Sequence, residues 1–158
     1  MEIQQKSPWP RIMIGCGITA LAGFVLMCGG CIWLLSGPEG GVRLSNDMEE
    51  YAVEYLDKHQ VLNSTEQVVA YYDATITVDG TEAAILTTER VLYHMNGKTT
   101  AIPISEITDI RVREDDLMEY LIEIDSRDGM PMKIELAYFN QGETFVNALE
   151  NAWTNSQE

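Results

Sequence analysis

Between Ile12 and Leu35 the chain carries no charged residue. A helix of that length rises about 1.5 Å per residue and would reach across a hydrocarbon core of about 30 Å. Trp9 and Trp33 stand near its two ends, where amphipathic rings favour the headgroup level. The pattern predicts an uncleaved transmembrane helix over 12–35, behind a short N-terminal tail over 1–11. Leu34-Leu35-Ser36-Gly37-Pro38 offers no small-x-small cleavage site, and Cys28-Gly29-Gly30-Cys31 lacks the aliphatic residue of a lipoprotein signal. Residues 36–46, rich in glycine at Gly37, Gly40 and Gly41, read as a linker to a domain over 47–158.

After the linker the apolar period becomes helical. Met48, Tyr51, Ala52, Tyr55 and Leu56 recur at i, i+3, i+4, i+7 and i+8, and Asp47 and Glu50 have capping-box spacing, with Ser45 as a competing cap. The helix is expected to run out near His59. The period then falls to two. A first strand is expected at 68–72 with 75–78 continuing it, then strands at 83–87, 90–95, 99–104, 107–113, 120–125 and 130–136, with Asp79-Gly80 and Asn96-Gly97 as hairpin turns. Phe145, Ala148, Leu149, Ala152 and Trp153 restore the helical stripe over 142–154. The expected class is α+β: a transmembrane helix, then an antiparallel barrel of about seven strands with an N-terminal flanking helix and a C-terminal capping helix.

Charge narrows the function. The formal net charge is −15, nearly all of it after Leu35. Such a domain repels nucleic-acid phosphates, so nucleic-acid binding is excluded. Lys6 and Arg11 precede the apolar segment, whereas Arg43 follows it among Glu39, Asp47, Glu49 and Glu50. By the positive-inside rule the N-terminus is cytoplasmic and the domain extracytoplasmic. Gly15, Thr19 and Gly23 lie four apart, a small-xxx-small spacing that would let two such helices pack as a homodimer.

Motifs of catalysis and metal binding are missing from the sequence. Cys16, Cys28 and Cys31 all fall within 12–35, leaving no thiol for a metal site or disulfide in the domain. His59 and His94 lack paired-ligand spacing, and there is no G-x-S-x-G, P-loop or G-x-G-x-x-G. Glu114-Asp115-Asp116 lacks the alternating acids and glycine of an EF-hand and reads as a solvated loop. Asn63-Ser64-Thr65 fits a glycosylation sequon. No cofactor is expected.

The stretch from Ala84 to Lys98, followed by Ala101 to Ile110 with its Ile-Pro-Ile-Ser-Glu-Ile run, resembles the pleckstrin-homology and GRAM-like superfamily, most of all its bacterial form. The resemblance extends over about residues 48–154 and includes the last helix with Trp153. It implies a scaffold whose relatives bind lipids, peptides or protein partners. Phosphoinositide binders in that superfamily carry several bases at the first hairpin. Here Thr77 to Glu82 holds two acids and no base, so headgroup binding is not expected. The functional expectation is a membrane-anchored, non-enzymatic module that recruits or senses a protein partner. Its candidate surface is Asp79 and Glu82 together with Glu114, Asp115 and Asp116. The alternative is a lipid or small apolar ligand held in the barrel mouth.

Overall fold

The computed structural model describes residues 40–115, 119–137 and 141–158. A short strand β1 (Val42–Leu44) and one 3-10 turn lead into helix α1 (Glu50–Lys58). Strands β2 (Val68–Asp73), β3 (Glu82–Thr87), β4 (Arg90–Met95) and β5 (Lys98–Pro103) follow. A second 3-10 turn leads to β6 (Ile107–Asp115), β7 (Glu119–Ser126), β8 (Met132–Ala137) and helix α2 (Gly142–Ser156). All strand pairs are antiparallel, in a five-stranded sheet ordered β1-β2-β3-β4-β5 and a three-stranded sheet ordered β6-β7-β8.

This corrects the expected architecture. In place of one closed barrel behind a transmembrane helix, the described residues form two separate sheets and two helices. None of these helices is long and apolar enough to cross a membrane. The longer, α2, has 15 residues, or about 22 Å against a core of about 30 Å, and it keeps a polar face. The single-pass assignment and the extracytoplasmic localisation drawn from it find no support among the described residues. The span 12–35, with Gly15, Thr19 and Gly23, lies outside the described residues. β1 falls inside the stretch read as linker, where it pairs Val42 with Tyr72.

The five-stranded sheet is covered on both faces along β2 and β3. Alternation along β2 turns Tyr71 toward α1, where it packs with Ala52, Leu56, Ala83, Ile85 and Leu92. Ala70 and Tyr72 turn the other way, into a core shared with Leu86, Ile122, Ile124, Phe145 and Leu149. β2 and β3 thus lack a wet face, which is why their sequences run apolar without a break. The two sheets are tied directly where the Ala137 amide donates to the Tyr72 hydroxyl at 3.2 Å.

In the three-stranded sheet the alternation is clean. Ile122, Ile124, Met132, Ile134 and Leu136 are buried, while Arg111, Arg113, Lys133 and Glu135 face water. Arg111 bridges Asp109 at 2.6 Å and Asp125 at 2.7 Å, and Arg113 reaches Glu123 at 2.6 Å. Exposed pairs of this kind add little stability, but they keep the outer face polar.

α1 starts without its expected capping box. Asp47 sits in the 3-10 turn, and no side chain caps the helix. Instead Glu49 at the cap is held by Arg43 at 3.0 Å. α2 begins at Gly142, where a Cβ would come within 2.6 Å of Tyr120 Cδ2. At its far end Trp153 Nε1 donates to the Ile107 carbonyl at 3.1 Å, closing the helix onto the first residue of β6.

A candidate recognition loop

Residues 74–81 connect β2 to β3, and the local chemistry of two aspartates decides their shape. Asp73, the last residue of β2, is buried. One of its carboxylate oxygens accepts the Thr75 amide at 2.8 Å and the Thr75 hydroxyl at 2.5 Å. The other accepts the Gly80 amide at 2.7 Å, across the whole loop. Asp79 repeats the first motif: one oxygen accepts the Thr81 amide at 3.0 Å and the Thr81 hydroxyl. Its second oxygen accepts the Thr77 hydroxyl at 2.8 Å. The twin Asp-x-Thr spacing, Asp73-Ala74-Thr75 and Asp79-Gly80-Thr81, is an Asx-turn signature used twice. The Thr81 hydroxyl and amide, with Thr77, pull the Asp79 carboxyl down to about 2.

The loop carries backbone strain and an exposed apolar tip. Val78 sits at φ 51°, a region that a β-branched residue enters only when its surroundings compel it. The compulsion is visible: the Asp79 amide donates to the Thr75 hydroxyl at 3.1 Å, folding the chain back over Val78. Ile76 stands at the tip with a relative exposure of 101 %. No other large apolar side chain among the described residues is so exposed. From His59 to Glu89 the chain has acids but no lysine or arginine, so the loop and its flanks in the sequence carry negative charge only.

Beneath the loop, α1 supplies the footing. Tyr51 lies beside Asp73, and burial followed by that carboxylate raises the Tyr51 pKa. Gly80 lies against Tyr55. At φ +76° it occupies backbone space that favours glycine, and a Cβ there would meet Tyr55 Cγ at 3.0 Å. Tyr55 in turn hydrogen-bonds His94 Nε2 at 3.2 Å, and His94 Nδ1 meets the Thr99 hydroxyl at 2.9 Å. The imidazole is buried, and burial, then the nearby His59, lowers its pKa. This hydroxyl–imidazole–hydroxyl chain pins α1 to the β4–β5 hairpin. It does not reproduce a nucleophile–base pair, because its third member is a neutral phenol with no charge to steady an imidazolium.

Tyr71 lies in the same layer, and its buried hydroxyl has no hydrogen-bond partner among the described residues. Burial, then Asp73, raises its pKa. A buried hydroxyl left unpaired is destabilising, so Tyr71→Phe is expected to keep or raise stability, by up to about 1 kcal/mol. Thermal unfolding checks this; a drop of more than about 1 kcal/mol would mean that the hydroxyl is engaged.

The acidic residues singled out from sequence divide between the two sheets. Asp79 belongs to the β2–β3 connection, and Glu82 is the first residue of β3. Neither is a free docking charge: Asp79 builds the loop, and Glu82 accepts the Tyr93 hydroxyl. Glu114 and Asp115 end β6, opposite Tyr120 and Glu119 in the register, and Asp116 lies outside the described residues. Sequence reasoning passed over Ile76, which read as part of a strand, and over Asp73. The repeated Asp-x-Thr spacing was the available signal. Among the described residues no group of three or more His, Cys, Asp or Glu could hold a metal ion. No family model matches the chain, and no curated protein or solved structure matches it.

Proposed function

We propose that the described domain is a non-enzymatic binding module that docks a protein partner through the loop 74–81. Ile76 is the anchor, and the partner offers an apolar socket rimmed by basic groups. One observation carries this reading: a fully exposed isoleucine on a loop locked by two aspartates and strained at Val78. A pre-ordered loop has already met the entropy of ordering, so an apolar side chain on it can anchor tightly. The net negative charge of the stretch His59 to Glu89, which holds no base, favours a cationic rim and disfavours an anionic bilayer. The resemblance to pleckstrin-homology scaffolds fits a binding role of this kind. The alternative, an apolar ligand between the sheets, is not favoured, because Leu86, Val91, Ile122, Ile124 and Phe145 already fill that space.

The test is photo-crosslinking from position 77 in cells, with position 100 on β5 as the control. Ile76→Asp should leave stability within about 0.5 kcal/mol, since the side chain touches solvent only. It should reduce the crosslinked adduct at least about tenfold, the equivalent of about 1.4 kcal/mol at an anchor. Ile76→Leu should retain it. An adduct unchanged by Ile76→Asp, or formed equally from position 100, sinks the reading.

A further inference from the structure

Two histidines flank one tyrosine at the seam between α1 and the sheet. His59 stacks on the Tyr55 ring with centroids 4.2 Å apart, and His94 meets the same ring edge-on at 5.5 Å. His94 is 2 % exposed, so a charge on it has no water to solvate it. We propose that α1 is an acid-released latch: protonation of His94 lifts the helix from the sheet and takes down the loop that stands on it. The consequence for docking rests on the loop reading above, whereas the latch does not.

The surroundings of His94 make its protonation costly. From α1 it faces Tyr55, with His59 behind and Tyr51 further along. β2 presents Tyr71 and Asp73 on this face. Its partner on β3 is Ala83, and on β5 it is Thr99, with Lys98 next in the chain. Of these, Asp73 is the one carboxylate, and it is committed to Thr75 and Gly80. The other histidine adds charge of the same sign. Both ring nitrogens of an imidazolium would still find hydroxyl oxygens, but neither oxygen is charged. A buried cation without a counter-charge is relieved when the overlying element moves and water enters.

The sign follows from linkage. Folding holds the His94 pKa below its unfolded value of about 6.5. The stability of the neutral, latched state is therefore fully present above about pH 6.5. It is lost as pH falls from there through the folded value. Glu66, Asp79, Asp125 and Asp128 are all held below the ordinary carboxylate range, so they titrate well beneath this window.

Release of α1 reaches the loop by two contacts. Tyr51 moves away from Asp73, whose charge it faces, and Tyr55 leaves Gly80. The Gly80 amide, bonded to Asp73 in the latched state, therefore reports the loop.

The experiment is native-state amide exchange on the full-length chain from pH 7.5 to 5, corrected for intrinsic exchange. For one linked proton the opening constant of the α1 amides should rise about tenfold per pH unit below about 6.5. Gly80 should follow with the same slope, while the Ile122 and Ile124 amides of β7 stay protected. H94Q should flatten the slope, and H59Q should leave it in place. Equal slopes in the wild type and H94Q would overturn the latch, as would opening of α1 and β7 together. If H94Q does not fold, the midpoint of the His94 ring resonances in the wild type decides instead. It must lie below the onset of α1 opening, because the closed state holds the ring neutral past that onset, and a midpoint at or above the onset overturns the proposal.

Discussion

Arg90→Met is expected to destabilise the fold by about 3–5 kcal/mol, the range seen when one partner of a buried ion pair is removed. Arg90 grips Glu66 with two hydrogen bonds, Nε at 2.5 Å and Nη2 at 2.8 Å, and the Glu66 side chain is 0 % exposed. The Asn63 amide at 2.7 Å and the Thr87 hydroxyl at 3.2 Å complete the carboxylate's shell. Burial opposes ionisation of Glu66, but the bonds from Arg90, Asn63 and Thr87 outweigh it and hold the carboxyl below its usual range. Its contribution is therefore present above the ordinary glutamate value and lost as pH falls through the folded one. Removing Arg90 strands a charge that Asn63 and Thr87 cannot neutralise. The pair also sews the α1–β2 connection to the β3–β4 hairpin, since Arg90 Nη2 reaches the Val61 carbonyl at 3.4 Å. Urea unfolding should show a lower midpoint with an unchanged slope. Adding Glu66→Gln to Arg90→Met should recover part of the loss, because the stranded group becomes neutral. If Arg90→Met alone costs under about 1 kcal/mol, the pair is solvated and the geometry misleads.

Phe145→Ala should be comparably severe, at about 3–5 kcal/mol. Phe145 is 0 % exposed and, with Leu149 and Val146, seats α2 against Leu86, Ile122 and Ile124 of the two sheets. The loss has two parts: the transfer free energy of the ring and the cavity left where neighbours cannot collapse. Little room for collapse exists, because the lining residues belong to hydrogen-bonded strands. The same urea series measures it, and near-ultraviolet dichroism of Trp153, bonded to the Ile107 carbonyl, reports whether α2 stays docked. A cost below about 1 kcal/mol would mean that α2 is not part of the core.

These two sites differ in how far the sequence revealed them. Phe145 and Leu149 are legible because a helical stripe declares its buried face. Asn96-Gly97 is legible for a local reason: the two residues take φ 50° and 77° and join Met95 to Lys98 in register. Glu66 and Arg90 stand 24 residues apart, and no local period links an acid to a base at that distance. The β2–β3 connection misleads in a different way. Thr75-Ile76-Thr77-Val78 has the composition of a strand, yet Asp73 takes the Thr75 and Gly80 amides that a ladder would need. A side chain competing for backbone donors defeats β propensity there. β1 escaped for want of length, having 3 residues beside a glycine-rich stretch.

Trypsin cuts after lysine and arginine. The stretch without either therefore leaves the protein as one peptide, from His59 to Arg90, that contains β2, the loop and β3 together. However often the loop opens, that enzyme has nothing to cut there. A trypsin-resistant digest would be mistaken for evidence of rigidity. A protease that cleaves beside aspartate, with Asp73 inside the hydrogen-bonded loop and Asp79 at its surface, would tell an opened loop from a closed one.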